Sequence, residues 1–215
     1  MYFDTNVSSR CLGAGMMNVL EQLGHDGMCV NTVVDLESVK KYRRPAVDEW
    51  KDKNVYERVE IRYRGHGDWD GARRMIGPDV VAIRVEDMND FKKAIEMCPD
   101  IVTFDYSKSF CIRRDEAVEA MKRNIFFEIP LVCGLYGQRD KAVWMRNARR
   151  LLDVTEGVNV VVGSGATCLT EMRRRQDVIK ILRGLGMSED GGRKILLNSA
   201  RLVRSCDVRR GYVVK

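Results

Sequence analysis

Residues 78–104 read PDVVAIRVEDMNDFKKAIEMCPDIVTF. Asp79 to Val85 has the composition of a buried strand. Phe91 to Met97 follows as a helix, and Ile101 to Phe104 is the next apolar strand. A strand, a helix and a second strand in so short a span mark a parallel crossover unit. The same alternation extends in both directions. Toward the N-terminus, Tyr56 to Tyr63 alternates, with Val59, Ile61 and Tyr63 on one face. Met28 to Val34 is β-rich, and Tyr2 to Asp4 is a short buried strand. Leu12, Met16, Val19, Leu20 and Leu23 have helical spacing that ends at Gly24 or Gly27. Toward the C-terminus come a helix over Asp115–Lys122 and a strand over Ile125–Ile129. A long helix near Arg139–Asp153 precedes the most apolar strand, Val158–Val162. Helices near Asp177–Leu185 and Ser188–Leu197 complete the series. Trp69 to Ile76 has the makings of a short helix stopped by Gly77-Pro78.

About seven β-α repeats imply an α/β fold, a TIM-like barrel with parallel strands inside and helices outside. A doubly wound open sheet is the rival on pattern alone. No linker divides the chain, so residues 1–215 are expected to form one domain. Residues 36–53 are a polar insertion, and 201–215 a C-terminal tail with extended structure.

Composition narrows the class. With 45% apolar and 32% charged residues and only four prolines, the chain is an ordinary globular protein. No apolar run is long enough to cross a bilayer, and Met1 to Arg10 lacks a signal pattern. Cys11, Cys29, Cys98, Cys111, Cys133, Cys168 and Cys206 are odd in number and form no CxxC pair. That favours reduced thiols over a disulfide frame or zinc knuckle. The net charge of +6 is regional: residues 136–215 hold 17 Lys+Arg against 8 Asp+Glu. Arginine, whose planar fork matches phosphate oxygens, outnumbers lysine 25 to 12. Genome bias toward arginine accounts for that ratio equally well. The regional excess points to a polyanionic partner.

Catalytic constellations are sparse. His25 sits in a turn after the first helix, at the end of a barrel away from its usual chemistry. His66 follows the third strand, at the functional end, and is otherwise a surface residue. A metal site would have to rest on Asp4, Asp35, Asp105 and Glu128, almost without imidazole. Cys111 and Cys133 have no histidine partner at a suggestive spacing.

Three features carry more. In Asn159-Val-Val-Val-Gly-Ser-Gly-Ala166, a strand runs into Gly163, Ser164 and Gly165, whose backbone N–H groups can face a phosphate; a tight turn at a crowded barrel mouth is the alternative. In the helix from Arg139, which also carries Lys141, Trp144, Ala148, Leu151 and Leu152 fall in one arc. Arg146, Arg149 and Arg150 fall on the opposite one; a solvated face is the plainer explanation. Arg173, Arg174 and Arg175 stand together after the last core strand, where a helix begins, a position read as the functional end and suited to anions.

The ordered series of these segments resembles the thirty-kilodalton protein subunit of ribonuclease P and ribonuclease MRP. "FFEIPL" is similar to the family's Phe-Glu-Leu strand. "GVNVVVGSGATCLTEMRRRQDV" is similar to its Asn-Val block ending in Arg-x-Pro-x-Asp. "LGMSEDGGRKIL" resembles the start of its next helix. "YFDTNV", "CVNTVVDLE", "PDVVAIRVED" and "PDIVTFDYSKSF" resemble its upstream strands. Arg173 fills the family's arginine position, while the family's Arg-x-Pro becomes Arg173-Arg174-Arg175, without the proline.

The resemblance implies a barrel related to metal-dependent phosphoesterases but without their metal ligands. It also implies a non-catalytic role, with no cofactor, in binding the ribonuclease P RNA that removes 5′ leaders from precursor tRNA. A small RRM-like protein subunit and other ribonuclease P subunits are the implied partners. The implied location is nuclear or nucleolar in a eukaryote, cytoplasmic in an archaeon. Arg139, Lys141, Arg146, Arg149, Arg150, Arg173, Arg174 and Arg175 are the expected RNA contacts. Tyr42, Pro45, Val47 and Trp50 are a candidate protein-docking patch. A barrel phosphoesterase or sugar-phosphate enzyme is the alternative function.

Overall fold

The computed structural model describes residues 1–13, 15–42, 54–65, 67, 69, 77–135 and 138–211, without the side chains of 39–41, 138 and 139. Its strands are β1 (Phe3–Ser8), β2 (Gly27–Asp35), β3 (Val55–Tyr63), β4 (Val80–Val85), β5 (Ile101–Phe104), β6 (Phe126–Pro130) and β7 (Val160–Gly163). Its helices are α1 (Met16–Leu23), α2 (Phe91–Glu96), α3 (Arg114–Lys122), α4 (Gln138–Thr155), α5 (Arg175–Gly184) and α6 (Glu189–Arg209). The strands lie side by side in chain order, every pair parallel. The sheet curls until its edges meet: Val7 bridges Ala166, and the Ser8 N–H donates to the Ala166 carbonyl at 2.8 Å. The result is a nearly closed TIM-like barrel, as the repeats imply, and not an open doubly wound sheet.

Strand alternation sorts side chains into two cores. Val59, Ile61 and Tyr63 of β3, Val81, Ile83 and Val85 of β4, and Phe127 and Ile129 of β6 point outward into the layer under the helices. Trp144, Ala148, Leu151 and Leu152 meet them there, so the apolar arc of α4 faces the barrel. The inward positions divide by height. Phe3, Cys29, Val80, Ala82, Ile101, Phe126 and Val161 fill the lower half with apolar groups.

That lower half is closed by α6. Leu202, Val203 and Cys206 pack against the inward apolar residues, so the helix lies across the N-terminal mouth. The expected extended tail is therefore helical as far as Arg209. The buried positions Ile195, Leu196, Ser199, Leu202, Val203 and Cys206, all but Ser199 apolar, continue one helical stripe past Leu197, and residues 212–215 lie outside the described ones. The Pro-Asp pairs before β4 and β5 anchor this lid. Asp79 Oδ2 accepts from the Glu57 N–H at 2.7 Å, and Asp100 Oδ2 from the Val81 N–H at 2.8 Å. Their other oxygens accept from Arg210 and Arg209 respectively.

Candidate functional site

The upper half of the barrel interior is polar. On β3 the inward residues are Arg58, Glu60 and Arg62, alternating with the apolar outward set. Arg58 is wholly buried. Its Nη1 donates to Glu128 Oε1 and, at 2.6 Å, to the Thr5 carbonyl. Its Nη2 donates to Glu128 Oε2 at 2.8 Å and to Glu60 Oε2 at 3.1 Å. Burial disfavours the guanidinium charge, but Glu128 and Glu60 outweigh it and hold the group more firmly protonated than usual. Asn31 Nδ2 donates to Asn6 Oδ1 at 2.9 Å and to Glu60 Oε2 at 3.0 Å. Asn6 Nδ2 donates to Glu128 Oε2 at 3.2 Å. Gly163 makes this arrangement fit, because a Cβ there would come within 2.5 Å of the Asn6 Cβ and 2.7 Å of Glu128 Oε1.

Above the network a cavity of about 580 Å³ opens at the C-terminal ends of the strands. Arg62 and Arg84, register partners on β3 and β4, stand at its wall, and Arg10 at its rim. Cys133 also lines it; burial pushes its thiol up to about 11, so it stays protonated at neutral pH.

The four carboxylates weighed as metal ligands are dispersed. Asp4 Oδ1 accepts from the Ser164 N–H at 2.8 Å and the Asn6 N–H at 3.1 Å, and burial raises its pKa. Glu128 holds Arg58. Asp105 accepts from Ser107 and lies 3.7 Å from Arg84; Asp35 lies 3.8 Å from Arg62. Among the described residues no three His, Cys, Asp or Glu side chains converge as a metal site.

Of the backbone amides expected to face phosphate, those of Ser164 and Gly165 are already bonded, as is Ala166 beside them. Ser164 N–H goes to Asp4, Gly165 N–H to the Asn6 carbonyl at 2.7 Å, and Ala166 N–H to Ser164 Oγ at 3.1 Å. These bonds stitch β7 to β1 where the barrel closes.

Of the basic residues, Lys141, Arg146, Arg149 and Arg150 are exposed along the outer face of α4. Arg149 Nη2 donates to the Gly184 carbonyl at 2.9 Å, and Arg150 donates to Cys111 Sγ. Lys141 and Arg146 make no hydrogen bond or ion pair among the described residues; the Arg139 side chain lies outside them. The arginine triad is at the opposite end of the barrel from the one its sequence position suggests. After Ala166 the chain descends beside α1, burying Met172 with Val7, Met16 and Leu20. The Arg173 carbonyl then meets His25 Nε2 at 2.9 Å, next to Tyr2 at the start of β1. Arg173 Nη1 donates to the Thr170 and Met172 carbonyls, both at 2.9 Å, tying its own loop. Arg174 is exposed and Arg175 half-buried, without hydrogen-bonded partners among the described residues.

Sequence reasoning missed two sets. The inward Arg58-Glu60-Arg62 series was legible as the alternate face of Tyr56–Tyr63. Arg201 and Arg204, exposed on α6, were hidden by reading that segment as extended. His66, residues 70–76 of the expected Trp69–Ile76 helix, and the patch residues Pro45, Val47 and Trp50 lie outside the described residues. Tyr42 is half-buried and donates to Glu57.

The barrel is similar to several solved enzymes. Over 94% of this chain and 74% of the other, it superposes on a prolidase complexed with N-methylphosphonate-L-proline with a TM-score of 0.60 at 9% identity. An organophosphorus hydrolase mutant from Deinococcus radiodurans matches over 87% and 82% of the two chains, with a TM-score of 0.54 at 11% identity. A Xaa-Pro dipeptidase matches over 89% and 67%, with a TM-score of 0.52 at 12% identity. At these identities the likeness is one of fold. In sequence, the chain is 30% identical over 126 residues to Protein GAMETOPHYTE DEFECTIVE 1 of Arabidopsis thaliana, an alignment of 57% of this chain and 22% of that protein. The chain thus spans under a quarter of that relative's length. The family model described as RNase P subunit p30 matches residues 1–211, from the first strand through the helix that closes the barrel: the chain belongs to the RNase P subunit p30 family.

Proposed function

We propose that the chain is a non-catalytic, RNA-binding subunit of ribonuclease P, supporting 5′-leader removal from precursor tRNA. The observation that carries this is the course of α5. Its last residue, Gly184, accepts from Arg149 of α4, and its first is Arg175. Ten helical residues span about 15 Å, so α5 links the arginine face of α4 to the triad at the N-terminal end of the barrel. Arg201 and Arg204 of α6 extend the basic surface, since Ser199 of that helix accepts from the Phe3 N–H at 2.9 Å, beside Tyr2. Guanidinium groups spread along a curved belt suit a folded RNA backbone, where phosphate contacts give affinity and little sequence information. Lys141 continues the belt on α4.

A barrel phosphoesterase has less support, because both Glu128 oxygens are bonded to Arg58 and no three His, Cys, Asp or Glu side chains converge as a metal site among the described residues. The RRM-like subunit remains the proposed protein partner. The proposed location is the nucleus and nucleolus in a eukaryote or the cytoplasm in an archaeon; no helix among the described residues is long and apolar enough to cross a membrane. Purifying the chain from its own cells and sequencing the RNA that travels with it tests the assignment. Enrichment of ribonuclease P RNA is expected, and its absence from an intact, abundant preparation contradicts the reading.

A further inference from the structure

We propose that the C-terminal mouth of the barrel is a pocket for a single nucleotide, held by its phosphate between Arg62 and Arg84. The two arginines are register partners on neighbouring parallel strands, both directed into the cavity. Their side chains are 41% and 33% exposed, so their charges are partly withdrawn from water. Neither makes a hydrogen bond to a described residue. The nearest carboxylates, Asp35 for Arg62 and Glu60 and Asp105 for Arg84, stand 3.7–3.8 Å away. Two of those acids also serve other donors: Glu60 accepts from Arg58 and Asn31 through Oε2, leaving Oε1 toward Arg84, and Asp105 accepts from Ser107. Two adjacent guanidinium forks, each near a carboxylate but hydrogen-bonded to none of the described residues, thus face one space. Arg10, with no side-chain partner among the described residues, stands at the rim. A phosphate with three terminal oxygens matches two such forks.

The floor of the cavity argues for a nucleotide over a bare anion. Asn31 is 6% exposed and lines the cavity. Its Nδ2 is fixed by two acceptors, Asn6 Oδ1 and Glu60 Oε2, which settles the orientation of the amide and leaves Oδ1 without a donor. A buried carbonyl oxygen with no partner is unfavourable unless something donates to it. Thr103 adds a second polar group to the same lining. An anionic head at the arginines and an N–H or O–H toward the floor describe a phosphate ester carrying a donor-bearing base and sugar. A volume of about 580 Å³ lies within the ~300–1,000 Å³ of small-molecule sites. Free nucleotides and a nucleotide turned out of an RNA chain share this chemistry. The pocket opens at the C-terminal ends of the strands, apart from the triad at the other end.

Calorimetric titration of the full chain with AMP, adenosine, inorganic phosphate and a 5′-phosphorylated trinucleotide tests the pocket. AMP is expected to bind at least tenfold more tightly than adenosine or phosphate. Arg62→Gln with Arg84→Gln is expected to weaken AMP at least tenfold. Arg84→Lys, which keeps the charge and loses the fork, should fall between and serves if the double variant does not fold. Arg173, Arg174 and Arg175 changed to Ala should leave AMP binding intact, which separates this site from the RNA-binding belt. A trinucleotide that binds more tightly than AMP identifies the ligand as a nucleotide within RNA; equal affinity identifies a free nucleotide. Absence of binding by both AMP and the trinucleotide, or AMP affinity unchanged in the folded arginine variants, overturns the proposal.

Discussion

Both carboxylate oxygens of Glu128 on β6 are held by the two terminal nitrogens of Arg58 on β3, across the barrel interior. Seventy positions separate the pair in sequence. The pair fills the level between the apolar plug below and the open cavity above, and it depends on a strand whose inward face is charged.

Breaking one side of this pair leaves buried carboxylates without their cation. Arg58→Ala is expected to destabilise the protein by about 3–5 kcal/mol. Urea denaturation followed by circular dichroism measures it. A loss below about 1 kcal/mol would mean that water or another group compensates.

Gly163→Ala places a methyl group against Asn6, Glu128 and Thr5. Overpacking of this kind costs about 1–3 kcal/mol. The same denaturation experiment reads it, and the loss should shrink when combined with Arg58→Ala, since the two changes disturb one network.

Burial raises the pKa of Asp4 above its ordinary 3.8. The native chain therefore holds this proton more tightly than the unfolded one, and stability from this group falls as pH rises from 3.8 through the native value. Asp4→Asn removes the charge, so its stability relative to the parent should climb over that range and level off above it. Melting temperatures from pH 3 upward check the trend, and a difference that does not change with pH would show that Asp4 ionises without penalty.

Arg209 and Arg210 pin the end of α6 to Asp100 and Asp79. Replacing either arginine by Ala leaves a largely buried carboxylate oxygen short of a donor, at about 1–3 kcal/mol. Hydrogen exchange should speed up first at the strand starts Val80 and Ile101; unchanged protection there would show that the apolar stripe alone holds the lid.

The barrel was legible because its outward strand positions and inner helix faces obey the two periodicities that burial imposes. Val59, Ile61 and Tyr63 announced one side of β3, and Leu151 with Leu152 the buried arc of α4. What was hidden depends on long-range pairing. Arg58 reads as a solvent residue until Glu128 is found opposite it. The triad Arg173–Arg175 follows β7, yet the intervening loop spends its length descending beside α1, which no local signal reports. The segment from Arg201 has a helical stripe, but arginines at 201, 204, 209 and 210 masked it.

The central claim is that the outer arginines bind RNA through its phosphates. Titrating ribonuclease P RNA at several salt concentrations, with the parent chain and with Arg173, Arg174 and Arg175 changed to Ala, tests it most directly. The parent affinity should fall steeply with salt, and the log–log slope should be smaller in the variant by roughly 0.7–0.9 for each phosphate that is no longer neutralised. The melting temperature should be nearly unchanged for Arg174 and Arg175, and lowered modestly through Arg173, which ties its own loop. An affinity and salt slope identical to the parent's, in a variant that remains folded, would contradict the account.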